Sequence, residues 1–266
     1  MTDDLEQLRQ ASSFHPTSVW RQGDMILREA RPWSRTVHAL LRHLESVGFD
    51  AAPRIVGTGF DDSGREALTF IEGETMAKGP WSLDACFAVG RLLRRLHDLT
   101  ATFVPPSDAA WMPWQGRRQG SGVSVISHCD TGAWNFLQHG GMPHALIDWE
   151  RAGPVDPLVA LAQCCWLNAK LFDDIVAEVE GLPPVDMRAR QLRAIVDGYG
   201  LPASMRVGFL DVLIEFVVRA TAEQADEAMV RPGTKSAEVA PQVVWALSWT
   251  ARSAAWMILN RRVLEA

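Results

Sequence analysis

The sequence predicts an α+β protein of two lobes, a small antiparallel-sheet lobe with one helix followed by a mainly helical lobe. Three observations carry this expectation. Residues 18–71 read β-β-α-β-β, most of the chain after Ser82 has helical spacing, and a polar loop flanked by short strands interrupts the helical part. At 266 residues the chain is long enough to build two sizeable cores.

Residues 18–29 alternate around the turn Gln22-Gly23-Asp24, which predicts a hairpin. Pro32-Trp33-Ser34 opens a helix over 34–47 with Ser34 as its N-cap; Val37, Leu40, Leu41, Leu44 and Val47 follow at helical spacing, and Gly48 suits the C-terminal cap. Strands follow at Arg54–Thr58 and Ala67–Ile71, separated by the turn Asp61-Asp62-Ser63-Gly64. From Ser82 a helix places Leu83, Phe87, Leu92, Leu93 and Leu96 on one face and Arg91, Arg94 and Arg95 on the other. Residues 101–122 have little periodicity and read as a loop or short helix leading into a strand at Val123–Ile126. Helices are expected over 156–171, 186–198, 203–229 and 238–262, with Pro183-Pro184, Gly200-Leu201-Pro202 and Arg231-Pro232-Gly233 between them. Trp245, Trp249 and Trp256, three of eleven tryptophans, fall on one face of the last helix and read as core packing rather than as a ligand-stacking wall.

The polar loop carries the chemistry. His128-Cys129-Asp130-Thr131-Gly132-Ala133-Trp134-Asn135 has the form H-x-D-x-x-x-x-N, and Leu146-Ile147-Asp148-Trp149-Glu150 puts a second acid at the end of an apolar strand. Phosphoryl transfer needs such a set: one carboxylate to orient the accepting hydroxyl and take its proton, an amide oxygen and a second carboxylate to hold Mg²⁺ against the phosphates. On this pattern Asp130 is the base, Asn135 and Asp148 are the metal ligands, and His128 braces the catalytic loop.

The set resembles the aminoglycoside phosphotransferase family, small-molecule kinases of the protein-kinase-like fold. That family carries H-G-D-x-x-x-x-N, then I-D-W/F-E and G-x-x-D-P, and here Gly153-Pro154-Val155-Asp156-Pro157 follows Ile147–Glu150. Each motif recurs by chance; the three in order are specific. The resemblance implies a nucleotide-binding lobe at 1–73 and a helical catalytic and substrate lobe at 74–266, linked near Phe70–Gly73. It implies transfer of the γ-phosphate of ATP or GTP, with Mg²⁺, to a hydroxyl of a small molecule, and adenine contacts from main-chain groups of Thr69, Phe70 and Ile71. His97, in Leu96-His97-Asp98, is then structural, closing its helix near the catalytic loop, and Asp156 caps the helix it begins.

The small lobe departs from the family. Ala11–Ser18, ahead of the first expected strand, has no glycine, and no lysine occurs from Met1 to Ala77, where such kinases keep a phosphate-clamping lysine paired with a helix glutamate. Arg28 holds the matching strand position, and Glu45, the one acid on helix 34–47, is its expected partner. Cys129 takes the usual glycine position of the catalytic loop. Two classes stay open: an active small-molecule kinase, favoured by the retention of Asp130, Asn135 and Asp148 together, and a kinase-like binding or immunity protein that keeps the fold without transfer. The acids Asp173, Asp174, Glu178 and Glu180, and Glu223, Asp226 and Glu227, sit where the family builds its acceptor pocket, yet a solvated helix face accounts for them equally well.

Composition bounds the rest. With 47% hydrophobic and 22% charged residues the chain reads as an ordinary soluble protein, and no apolar run reaches the roughly 20 residues that span a bilayer. A net charge of −6 argues against nucleic acid and is compatible with a cationic small-molecule substrate. Four cysteines without metal-site spacing, and an acidic N-terminus unlike a signal peptide, suggest reduced thiols in the cytoplasm; a monomer or homodimer fits equally.

Overall fold

The computed structural model describes residues 5–10, 17–76 and 79–266; most of the glycine-free segment 11–18 lies outside the described residues. A five-stranded antiparallel sheet forms first, in the order β1-β2-β3-β5-β4. It contains the hairpin β2 (Val19–Gln22) and β3 (Met25–Arg28), then β4 (Ile55–Phe60) and β5 (Glu66–Thr69). An edge strand, β1 (Glu6–Arg9), pairs with β2 and has no counterpart in the sequence expectation, because its short, polar stretch carries no apolar alternation. Helix α1 (Ser34–Ser46) buries Val37, Leu40, Leu41 and Leu44. Its end has the expected glycine: Gly48 takes φ +78°, and Phe49 N–H donates to the Leu44 carbonyl at 2.8 Å. Its start differs. Ser34 is the first helical residue rather than the cap, and its Oγ accepts from Arg31 N–H at 2.7 Å.

The second part is helical around two small sheets. Strand β6 (Glu74–Thr75) pairs with β8 (Phe136–His139), which forms a hairpin with β9 (Met142–Leu146); β7 (Val125–Ser127) pairs with β10 (Gly153–Val155). Helix α2 (Leu83–Thr100) lies against α5 (Val185–Tyr199), and α3 (Pro157–Asn168), capped by the Asp156 carboxylate, buries every residue from Val159 to Asn168. α7 (Phe209–Glu227) and α8 (Pro241–Leu259) pack beside α3 and each other. Among the described residues no helix is long and apolar enough to cross a membrane, and all four cysteines are unpaired and buried.

Several expected boundaries shift for physical reasons. The helix expected over 203–229 breaks at Gly208, whose φ of +77° separates the single turn α6 (Ala203–Arg206) from α7. The helix expected to reach residue 171 stops at Asn168, and Asp174–Glu180 forms its own short helix, α4, because the Asp173 side chain caps it through Val176 N–H. On α2 the buried stripe is Cys86, Val89, Leu93 and Leu96, while Leu83 and Phe87 are exposed. The face is set by α5, which approaches so closely that a Cβ on Gly90 would sit 2.0 Å from the Ile195 carbonyl oxygen, and one on Gly198 would sit 2.0 Å from that of Phe87. Two glycines, one from each helix, bring the backbones into contact. Trp249 and Trp256 on α8 pack inward, whereas Trp245 is 51% exposed.

His97 links this helix pair to the loop that follows β7. One ring nitrogen lies 2.8 Å from the Tyr199 hydroxyl on α5 and the other 2.9 Å from Ser127 Oγ at the end of β7. Burial pushes its pKa down to about 3, so the ring is neutral in the fold.

Two measurements test this frame. Gly198→Ala puts a methyl group into the α2–α5 contact and is expected to lower unfolding stability by about 1–3 kcal/mol, the scale of overpacking, in urea titration. His97 takes up a proton in the unfolded chain near pH 6.5 but in the fold only near 3. Stability is therefore fully present above pH 6.5 and is lost as pH falls toward the folded value, by about 2 kcal/mol from this group between pH 6.5 and 5. His97→Gln should show a correspondingly shallower loss across that interval.

Candidate active site

The loop after β7 is held from below by buried side chains. His128 is fully buried; its Nε2 lies 2.9 Å from the Ile147 carbonyl oxygen, and its Nδ1 accepts from Asp130 N–H at 3.3 Å. Those two contacts fix the neutral tautomer, and burial pushes its pKa down to about 4. The imidazole thus touches main chain rather than the open site, which makes it a positioning residue. Cys129 adopts φ +60°, the left-handed region, which explains why the related motif carries glycine here. Its thiol is buried 3.5 Å from the Ser127 and Gly153 carbonyl oxygens. Helix α3 fastens the loop from the other side. Gln163 Nε2 donates to the Cys129 carbonyl at 3.1 Å and its Oε1 accepts from Thr131 N–H at 3.2 Å, while Asn168 donates to the Thr131 carbonyl at 2.7 Å.

Asn135 closes the loop on itself. Its Nδ2 donates to the Asp130 carbonyl at 2.9 Å, and its own carbonyl accepts from Ile147 N–H at 2.9 Å. Among the described residues its Oδ1 accepts no hydrogen bond, so the amide presents an oxygen and not a nitrogen to any incoming ion. Asp130 lies deep in the site, partly open to a cavity, and burial pushes its carboxyl up to about 6; Asp148 and Glu150 push it the same way, against Arg151.

Asp148 follows β9 in the left-handed conformation, φ 64° and ψ 60°, and its neighbour Trp149 anchors the turn by donating to the Leu146 carbonyl at 2.8 Å. Two guanidinium groups meet its carboxylate, Arg28 Nη1 at 3.1 Å and Arg9 Nη1 at 3.4 Å. The expected Arg28–Glu45 pair is not formed. Glu45 is half-exposed and lies 3.8 Å from Arg54. The β3–β5 register sets Arg28 directly opposite Glu66, and that buried carboxylate takes the Arg28 Nε–H while His38 Nε2 lies 3.0 Å from its other oxygen. Burial opposes the Arg28 charge, but Glu66, Asp148 and Glu150 outweigh it and hold the pKa above the ordinary arginine value. The acid that the helix was expected to supply comes from the neighbouring strand, because cross-strand partners stand about 5 Å apart without any long reach.

Two cavities flank this centre. The first, of about 200 Å³, runs between the sheet and the β8–β9 hairpin, lined by Ile26, Leu68, Phe70, Ile71, Leu137 and Ile147 and ending at Arg9, Arg28 and Asp148. Of the expected main-chain contacts, Thr69 N–H already donates to Arg54 and Phe70 N–H to Asp24, at 2.9 and 2.8 Å, whereas Ile71 makes no main-chain hydrogen bond among the described residues. Ile71 therefore stays open to a ligand edge and the other two amides do not. The second cavity, of about 360 Å³, contains Asp130 together with Trp114, Trp134, Trp166, Trp249, Glu223 and Glu227. Asp226 instead pairs with Arg231 at 2.9 Å, and Asp173 with Arg252. Arg9, Glu66, His38, Gln163 and Asn168 had no signal in linear spacing; the only cue for Glu66 was the cross-strand register of two short strands.

No three His, Cys, Asp or Glu side chains cluster as a self-sufficient metal cage among the described residues. Asn135 Oδ1 and the Asp148 carboxylate still fit Mg²⁺, a hard ion that takes one or two protein oxygens and completes its shell with water and phosphate.

The sequence model of the phosphotransferase enzyme family matches residues 7–122 and 108–207. A trifolitoxin immunity protein from Rhizobium leguminosarum bv. trifolii is 54% identical over 250 residues, 94% of each chain. Among solved structures, an amicoumacin kinase in complex with AMP-PNP, Ca²⁺ and Ami superposes with a TM-score of 0.67 at 13% identity, over 97% of this chain and 88% of that one. A choline/ethanolamine kinase family protein from Mesorhizobium loti superposes with a TM-score of 0.60 at 18% identity, over 98% and 92% of the two chains. With the protein-kinase-like fold in place and the family's motifs spread through most of its length, this chain belongs to the phosphotransferase enzyme family.

Proposed function

We propose that this protein transfers the γ-phosphate of ATP or GTP to a hydroxyl of a small molecule held in the tryptophan-lined cavity. The observation that carries the proposal is the position of Asp130: a half-buried carboxylate, raised to about 6, open to that cavity and on the same short loop as Asn135. Asp130 takes the acceptor's proton as the acceptor oxygen bonds to the γ-phosphorus and the bridging oxygen leaves with the nucleoside diphosphate. Asn135 Oδ1 and Asp148 would hold Mg²⁺, which when bound neutralises phosphate charge. His128, Gln163 and Asn168 keep the loop in place without touching the reacting atoms. The base and purine edge fit the apolar cleft beside Ile71, and Arg9 with Arg28 provides the cationic end that a lysine usually supplies. On this division residues 1–73 serve the nucleotide and 74–266 the acceptor and the chemistry, in the cytoplasm.

The immunity protein relative suggests what the acceptor is for: modification of a toxic molecule by phosphorylation, so that the producer or its neighbours survive it. A second reading is immunity by binding alone. It is favoured by the two arginines on Asp148 and by the lysine-free small lobe, which together leave the phosphates loosely held. Nucleoside diphosphate release across a panel of hydroxylated metabolites and antibiotics separates the two readings.

Once an acceptor is known, Asp130→Asn is expected to reduce turnover by orders of magnitude while nucleotide affinity stays nearly constant, and parent activity should decline as pH falls below about 6, where the base becomes protonated. Full turnover in that variant would remove Asp130 from the chemistry.

For the nucleotide, Arg9→Ala is the informative variant. It should weaken Mg·ATP binding in calorimetry by about 1–3 kcal/mol, the scale of a lost charge-assisted hydrogen bond. Arg28→Ala is a poorer probe, since it leaves the buried Glu66 with only His38 beside it and should cost about 3 kcal/mol of stability, which confounds a loss of nucleotide affinity.

A further inference from the structure

Both oxygens of Asp148 are met by cations, and the two are held very differently. Arg28 Nη1 donates to Oδ1 at 3.1 Å and Arg9 Nη1 to Oδ2 at 3.4 Å. Arg28 belongs to an inner strand, its Nε is held by Glu66, and its side chain is 6% exposed. Arg9 ends the edge strand β1, which has β2 as its one neighbour among the described residues, and its side chain is 31% exposed. One long donor at the rim of a cleft, on a strand paired along one side, is the contact that can open.

The edge strand is shaped to aim this residue. Gln7 stands opposite Trp20 and Arg9 opposite Val19, so Leu8 is an extra residue in the pairing, a bulge. Regular alternation would send Leu8 and Arg9 to opposite faces of the sheet; with the bulge, both line the same cleft. Val19 in turn stands opposite Arg28. Arg9 and Arg28 therefore occupy one cross-strand row, two strands apart, with roughly 10 Å between their main chains. Asp148 meets the ends of both side chains.

The same oxygens have a second use. As a ligand to a hard divalent ion, Asp148 must turn an oxygen towards that ion, and a guanidinium in contact with the carboxylate opposes this by charge. Phosphate offers the guanidinium a better partner. Its oxygens accept two parallel donors from the planar fork, whereas the contact on Asp148 is one long, partly solvated bond. We propose that Arg9 is a phosphate-operated latch on Asp148: its guanidinium covers the carboxylate, moves to the nucleotide phosphates as they enter the cleft, and so admits a divalent ion with the nucleotide and not by itself. This rests on the phosphotransferase reading for the identity of the phosphate donor, but the competition between Arg9 and a divalent ion for Asp148 is measurable without nucleotide.

Mn²⁺, a divalent ion that takes the same oxygen ligands, serves as the probe. Titrated into the full chain without nucleotide, it should bind Arg9→Gln about tenfold or more tightly than the parent, because an opposite charge at contact shifts a carboxylate's binding equilibrium by about one to three powers of ten. Arg9→Lys, which keeps the charge, should stay near the parent. Combining Arg9→Gln with Asp148→Asn should abolish the gain. Mg·AMP-PNP should respond with the opposite sign, binding Arg9→Gln roughly 5- to 150-fold more weakly, since the fork on phosphate is gone. Equal Mn²⁺ affinity in the parent and Arg9→Gln, a gain that survives Asp148→Asn, or measurable Mg·AMP-PNP binding that is unchanged in Arg9→Gln overturns the latch. The Mn²⁺ gain without any AMP-PNP binding in either protein would count against the phosphotransferase reading and leave the hold of Arg9 on Asp148 standing.

Discussion

Two hydrogen bonds across one buried junction hold the site together. The His128 ring meets the Ile147 carbonyl at 2.9 Å, and Ile147 N–H donates to the Asn135 carbonyl at the same distance. Ile147 immediately precedes Asp148, so the loop that carries Asp130 and Asn135 and the strand end that carries Asp148 are registered through a single residue. An imidazolium in that enclosed position would lack solvation, and burial duly holds the ring neutral, with a pKa near 4. The junction is extended outward by main-chain bonds from Gln163 and Asn168 on α3, and by His97, which ties β7 to α2 and α5. Helix α3 can present these amides because it is buried on all sides; Gln163 bonds the loop at both ends of its amide, and Asn168 donates to the loop while its oxygen accepts from the Trp81 indole N–H.

Electrostatics in the small lobe follow a different arrangement from the family's usual lysine–glutamate pair. Arg28 is held in the sheet by Glu66, with His38 from α1 on the far oxygen, and its Nη1 donates to Asp148. Arg9 from the edge strand reaches the same carboxylate, and its buried Nε has no partner among the described residues. A planar guanidinium can serve one carboxylate at its Nε edge and another at Nη, which a lysine ammonium cannot do in fixed geometry. The consequence is a cationic end to the cleft that is braced by the sheet itself and independent of the helix glutamate.

The acidic centre and the aromatic cavity make opposite demands. Burial first, and then the nearby Asp148 and Glu150, raise the Asp130 pKa, a cost to the fold. Tryptophans absorb that cost elsewhere: Trp149 lies 4.8 Å from His128 and 6.3 Å from Phe49, and Trp166 is in contact with Phe172, Phe216 and Trp249. Large rigid rings give much buried area for little conformational entropy, which suits a chain that must hold several carboxylates close together.

The sequence alone determined the fold class, the succession β-β-α-β-β followed by helices, and the motif that puts Asp130 and Asn135 on one loop with Asp148 after the next hairpin, because these are local. A motif with fixed spacing sits on one loop, and helical or alternating periodicity is set within a dozen residues. Asp156 as a cap and His97 as a structural contact near the catalytic loop were legible for the same reason. Tertiary structure decided everything that depends on which segments meet. It replaced Glu45 with Glu66, since strand register and not helical spacing chose the partner of Arg28. It brought in Arg9 from an edge strand whose four residues show no apolar pattern. It buried Cys86 and Val89 in place of Leu83 and Phe87, because the glycines at 90 and 198 let two backbones touch and so fixed the helix face. It also turned Trp249, Glu223 and Glu227 from helix-face residues into the wall of one cavity. Periodicity reports that a side chain is buried or exposed; what it is buried against is a long-range property, and the chemistry of this site resides there.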